Sequence, residues 1–186
     1  MEAVPKSEDP QLLDIIIVKM QEDLKNQLSW LNYSFGRCQK LVRQKKDTPD
    51  YFYPAIHVGN RKYVNVFPET ALRNFSFFNI EDPTTYKELA GGSSMFSAKC
   101  SVIFWVNLDL IFGAKKDRDA EHVKIQIMDV LKELRYIDGR FSFTKIFETA
   151  ENIYQGFSIK EVESQFLMQP YAGFRFEGIL HYNKLC

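Results

Sequence analysis

Apolar and polar residues alternate with a period of two from Met95 to Phe112. Phe96, Ala98, Cys100, Val102, Phe104, Val106, Leu108 and Leu110 fall on one face; Ser97, Lys99, Ser101, Ile103, Trp105, Asn107 and Asp109 fall on the other. This pattern predicts a long strand with a core face and a mostly wet face, as in an antiparallel sheet covered on one side. Ile103 and Trp105, in the middle of the wet face, form a candidate contact patch. The pattern then changes to a helical period. From about Asp117 to Tyr136 the apolar positions Val123, Ile127, Val130, Leu131 and Leu134 make one stripe, led by the acidic Asp117, Asp119 and Glu121 that suit a helix start.

A second helix is predicted from Asp9-Pro10 to about Leu28, with a stripe at Leu13, Ile16, Ile17, Met20, Leu24 and Leu28. Phe52 to Val58 and Lys62 to Phe67 read as a hairpin closed through Gly59, Asn60 and Arg61, with Pro54 marking an edge or a bulge. The closing strand, Tyr171 to Tyr182, places Ala172, Phe174, Phe176, Leu180 and Tyr182 inward and Arg175, Glu177 and His181 outward. Gly173 and Gly178 within it suggest a bulge or a close backbone approach. Ser158 to Phe166 reads as a short helix with Ser158 and Glu161 as a capping-box pair.

Together these elements predict a single α+β domain over 1–186, a mostly antiparallel β-sheet packed on one face by two main helices. Residues 1–9 are expected as a flexible arm, 68–94 as a long loop or arm, and 137–170 as an insertion-like segment. Within 68–94 the aromatics Phe75, Phe77 and Phe78 argue for a packed or partner-binding arm.

Composition narrows the function classes. Sixteen Phe and nine Tyr are enough to fill a core and also to leave aromatic surface for a partner. The formal charge is zero, which argues against wholesale DNA wrapping and permits self-association. One local exception is the basic stretch Arg37, Lys40, Arg43, Lys45 and Lys46, either a solvated face or a contact for phosphate or an acidic partner. Three cysteines without CxxC spacing, and an amino terminus without the basic start and apolar run of a signal peptide, point to a soluble product of a reducing compartment with no membrane span.

No catalytic, cofactor or metal motif emerges. Asp117, Asp119, Glu121 and His122 are close in sequence, but an acidic first helical turn accounts for them. Gly91-Gly92-Ser93-Ser94 precedes a strand and lacks the lysine and helix of a phosphate loop. His57 and His181 have no Ser, Cys or Asp partner recognisable by spacing. Arg175 and Glu177 read as a cross-strand charge pair on a solvated sheet, or as an intersubunit contact.

The order of elements carries a resemblance. A first helix, a hairpin opening with Tyr53-Pro54-Ala55-Ile56 and closing through Val58-Gly59-Asn60, a long strand, a helix beginning Arg118-Asp119-Ala120-Glu121 and a closing strand resemble the tail terminator and tail-completion proteins of long-tailed bacteriophages. Two further segments, Glu151-Asn152-Ile153-Tyr154-Gln155-Gly156 and Tyr171-Ala172-Gly173-Phe174-Arg175-Phe176-Glu177-Gly178, stand out without assignable chemistry. The resemblance implies a non-enzymatic virion protein, assembled in the bacterial host cytoplasm, whose copies form a ring, usually of six. The ring would cap the tail tube and contact other tail and connector proteins, with direct DNA contact left open. Residues 68–94 and 137–170 are longer than in the simplest members. An adaptor or binding protein of a virion or mobile element, or an enzyme of unknown type, are the alternatives.

Overall fold

The computed structural model describes residues 9–44, 49–59, 61–89, 94–113 and 119–184. Residues 1–8 of the expected arm, Lys45, Lys46, Asn60, Gly91, Gly92, Ser93, Asp117, Arg118 and Cys186 therefore lie outside the described residues.

Among the described residues the elements are α1 (Leu13–Gln27), β1 (Tyr33–Arg37), β2 (Gln39–Arg43), β3 (Tyr51–His57), β4 (Tyr63–Asn65), β5 (Phe75–Glu88), β6 (Ser94–Asn107), α2 (Leu108–Phe112), α3 (Ala120–Glu133), β7 (Arg135–Tyr136), β8 (Gly139–Phe147), α4 (Ala150–Ile153) and β9 (Tyr171–Lys184). Two 3-10 turns, Ile159–Glu161 and Ser164–Leu167, lie between α4 and β9. The large sheet has the order β1-β5-β6-β9-β8-β7, antiparallel except that β1 runs parallel to β5. A small antiparallel sheet has the order β2-β3-β4. This is the predicted α+β class.

Helices α1 and α3 cover one face of the large sheet, as their stripes require. Leu13, Ile16, Ile17, Met20 and Leu24, with Val123, Ile127, Val130 and Leu131, pack on Ala98, Cys100, Val102, Phe104 and Val106 of β6 and on Phe174, Phe176, Leu180 and Tyr182 of β9. Asp9 does not cap α1; its carboxylate accepts from the Gln11 amide side chain at 3.0 Å. Asp119 does cap α3, accepting from His122 N at 3.1 Å.

The expectation of a wet second face is corrected. The small sheet and the α4 segment pack on it and form a second core, which contains Phe35, Ile56, Val66, Phe67, Phe75, Phe77, Ile103, Trp105, Ile153 and Tyr154. Ile103 is 0% and Trp105 4% exposed, so in a single copy they are interior residues and not a surface patch. The polar residues at both ends of that face had hidden the fact that its middle is roofed.

Within 68–94, Phe75–Glu88 is also corrected from loop to strand. β5 occupies Phe75–Glu88 and pairs with β6 along its length, with one irregularity between Glu81 and Thr85. Its alternation splits the aromatic cluster: Phe75 and Phe77 enter the second core and Phe78 the first, all fully buried. Within 137–170, β8 pairs with β9 and is an integral strand of the large sheet. The weakly patterned region after Trp30 supplies β1 and β2, and β6 ends at Asn107 where α2 begins.

Pro54 is in the central strand of the small sheet, not at an edge. It is tolerated because, although in register with Lys40 of β2, it turns its backbone polar side toward β4, where its carbonyl accepts from Val66 N at 3.0 Å and the registered pairs have ended at Ala55, so β2 requires no donor from it. Ser158 caps no helix; its Oγ accepts from Phe52 N at 3.0 Å and its own N–H donates to Phe52 O at 2.8 Å, pinning this segment to β3.

Candidate functional site

Among the described residues, a dense polar cluster lies on the second face of the large sheet, beside the roofed core. Sheet register builds it: Glu81 of β5 faces Lys99 of β6, Ser101 of β6 faces Glu177 of β9, and Lys145 of β8 faces Glu177 from the other side. Arg175, two residues before Glu177, is only 1% exposed and shares that face by strand alternation.

All five guanidinium donors of Arg175 are used. Nε donates to Ser101 Oγ at 2.9 Å; Nη1 donates to Asn152 O at 3.2 Å and Gln155 Oε1 at 3.1 Å; Nη2 donates to Glu81 Oε1 at 2.6 Å and Glu177 Oε2 at 3.1 Å. The guanidinium also stands 5.7 Å from the Phe147 ring centre. Lys99 bridges Glu81 (2.8 Å) and Glu177 (3.2 Å), and Lys145 reaches Glu177 Oε1 at 3.3 Å. Burial works to raise the Glu177 pKa, but the hydrogen bonds from Lys145 and Lys99 and the Arg175 charge hold the carboxyl below its ordinary range. Lys99 is pushed up, chiefly by its hydrogen bond to Glu81. The expected solvated pair Arg175–Glu177 is thus corrected to a buried pair within a network over four strands, whose lysines Lys99 and Lys145 reach in from solvent.

Glu81, Lys99, Ser101, Lys145, Asn152 and Gln155 were not singled out as partners of Arg175 from sequence. The segment Glu151 to Gly156, distinctive but without assignable chemistry in the sequence, turns out to supply two Arg175 acceptors and Tyr154, whose hydroxyl donates to Val66 O at 3.2 Å inside the second core. Only the alternation that put Ser101 and Arg175 on like faces could have hinted at this.

Three hollows of about 370 to 400 Å³ border the kinked stretch of β5. One lies between Cys38, Lys40, Glu81, Asp82 and Gln155; one between Asp14, Arg37, Asp82 and Tyr182; and one between Thr85, Ser97, Lys99, Thr144 and Ile179. Beside the last, Ser97 Oγ lies 2.7 Å from His181 Nδ1, a partner that spacing along the chain did not reveal. Burial, then the nearby Arg140, lowers the His181 pKa, which favours a neutral ring near pH 7.

No protein-family model matches the chain, and no curated protein matches it.

Among the described residues of the basic stretch, Arg37, Lys40 and Arg43 do not converge on one face. Arg37 lies 3.8 Å from Asp14, Lys40 stands over the Phe52 ring at 4.5 Å, and Arg43 over the Tyr53 ring at 5.6 Å. Lys40 and Arg43, three residues apart on β2, project to opposite sides of the strand. No described helix is long and apolar enough to cross a membrane.

The thiols of Cys38 and Cys100 are buried, and burial pushes Cys38 up to about 12 and Cys100 further in the same direction. Iodoacetamide near pH 8 should therefore leave both unlabelled in the native protein and label both in urea, as read by peptide mass spectrometry. Labelling of Cys100 without denaturant would show that the first core opens under native conditions.

Proposed function

We propose that the chain is a structural protein of a long-tailed bacteriophage virion, a tail terminator whose copies close into a ring that caps the tail tube and meets the head-side connector. The observation that carries this reading is the order of elements. A helix, a hairpin, a long strand, a second helix and a closing strand follow one another along the chain; the long and closing strands pair in one mostly antiparallel sheet that carries both main helices on the same face, and the hairpin belongs to the small second sheet. The saturation of Arg175 adds support, because a site whose donors are all taken by neighbouring side chains and carbonyls suits a rigid building block.

The test is native mass by light scattering together with negative-stain images of the purified protein. A closed ring at about six times the 21.8 kDa protomer mass is the expected result. A species that remains a monomer or dimer over the accessible concentration range would instead favour a small adaptor protein of a virion or mobile element.

A further inference from the structure

We propose that copies of this chain join by strand addition, the open outer edge of β5 from Thr84 to Glu88 pairing with the open outer edge of β8 from Phe141 to Phe147 in the next copy. This rests on the ring reading and names its seam.

Both edges are uncovered among the described residues. The registered pairs between β1 and β5 end at Phe78, and Cys38 N donates to Phe78 O at 2.8 Å; from Asp82 to Glu88 every residue is exposed and β5 pairs only with β6. At the other side of the sheet β7 pairs only with Gly139 and Arg140, which leaves the outer side of Phe141 to Phe147 without a strand. An open edge offers alternating N–H and C=O groups to another strand.

Direction and charge select the partner. β5 runs antiparallel to β6, β6 to β9 and β9 to β8, so β5 and β8 run in opposite senses. A second copy set alongside in the same orientation continues the sheet with an antiparallel pair. Along the exposed stretch Asp82 to Glu88 the carboxylates Asp82 and Glu88 stand with one lysine, Lys87, a net of −1, Glu81 being taken by Lys99 and Arg175; the open stretch of β8 carries Lys145 and is flanked by Arg140, both positive. Pairing β5 with β5, or β8 with β8, brings like charges together, whereas β5 with β8 brings opposite ones together. Tyr86, 58% exposed, gains the half-buried Phe143 and Ile146 as cross-strand neighbours.

Two different surfaces in contact make a head-to-tail interface, the kind that closes into rings. Tyr86 lies level with Gly139 across the sheet, five residues short of Thr144 in the middle of the open β8 stretch. Neighbouring copies are therefore offset by about 17 Å along the strands, at about 3.4 Å per residue. A closed ring absorbs such an offset by tilting its strands against the ring axis, as barrels do.

Charge reversal tests this in the full chain. Asp82→Lys with Glu88→Lys makes both edges positive, and Arg140→Glu with Lys145→Glu makes both edges negative. Each variant alone should run at monomer mass, with an assembly midpoint raised at least tenfold, and an equimolar mixture should restore rings of alternating copies. Far-UV circular dichroism and the melting midpoint check that each is folded. Because Lys145 also pairs with Glu177, Arg140→Glu with Thr144→Glu, both exposed positions, replaces the second variant if that one unfolds. Wild-type rings that persist in both variants overturn the seam and leave the ring reading standing. A wild-type chain that is monomeric throughout overturns the ring reading and the seam together. Rescue in the mixture that stops at dimer mass overturns the β5-to-β8 pairing in favour of β5 with β5.

Discussion

Arg175→Met is expected to lower stability by about 3 kcal/mol, because it removes a buried guanidinium whose donors satisfy acceptors on four segments. The chain loses five hydrogen bonds at once, and Ser101, the Asn152 carbonyl and Gln155 lose a donor. The loss stays at the lower end of the range for broken buried pairs because Lys99 and Lys145 still reach Glu81 and Glu177. For a chain of this length the midpoint of thermal unfolding should fall by roughly 6 to 12 °C. An unchanged midpoint would mean that the network contributes nothing net.

The same variant has a pH signature. The Glu177 carboxyl is held low in the folded state: burial works to raise it, but Lys145, Lys99 and Arg175 outweigh burial. A group lowered by folding contributes stability that is present above its unfolded value, 4.5, and is lost as pH falls through the lower folded value. Arg175→Met removes one of the lowering charges, so the folded value should move back up and the loss of stability in acid should become shallower. Melting midpoints of both proteins from neutral pH down to about pH 3 read the difference. Parallel acid limbs would show that Arg175 does not act on Glu177.

Gly178→Ala is expected to cost about 3 kcal/mol or more, at the top of the range for overpacking, although it adds one methyl group. Gly178 lies opposite Phe143, where the register of β8 shifts. A Cβ there would stand 2.1 Å from Ser142 O and 2.4 Å from Phe143 Cα. Those are backbone atoms of a paired strand and cannot rotate away, so the β8–β9 ladder itself must part. Gly173→Ala is a graded comparison. Its Cβ would meet the Trp105 ring at 2.3 Å, but a side chain can yield part of that distance. The order of melting midpoints should therefore be wild type, Gly173→Ala, Gly178→Ala. The reverse order would place the tighter constraint at the Trp105 ring.

Several elements were readable from period alone because each has a simple one-sided pattern. The α1 stripe Leu13, Ile16, Ile17, Met20, Leu24 and Leu28 is buried at every position, and the alternation along β6 and β9 holds through Val106 and Tyr182. The glycine pair in β9 pointed to close approach, and both glycines have it. β5 was missed because Pro83 and charged Glu81, Asp82, Lys87 and Glu88 resemble a loop. They are the features of an exposed edge strand, kinked where the Glu81 to Thr85 register slips. β1 and β2 were missed because each is only five residues long, too short for a period to stand out.

The candidate site was legible only as two residue types on one strand, Arg175 and Glu177. Their partners come from positions 81, 99, 101, 145, 152 and 155, and no local pattern links segments so far apart.

The amino-acid order by itself determined which residues turn inward on each helix and on the long strands, since side-chain direction follows from backbone repeat and needs no knowledge of neighbours. Only the tertiary structure decided what covers each face. It laid the small sheet over Ile103 and Trp105, closed Arg175 inside a four-strand network and left one edge of β5 and one of β8 open. Those outcomes depend on long-range pairing, where burial of a whole layer outweighs the polarity of the few residues at its margins.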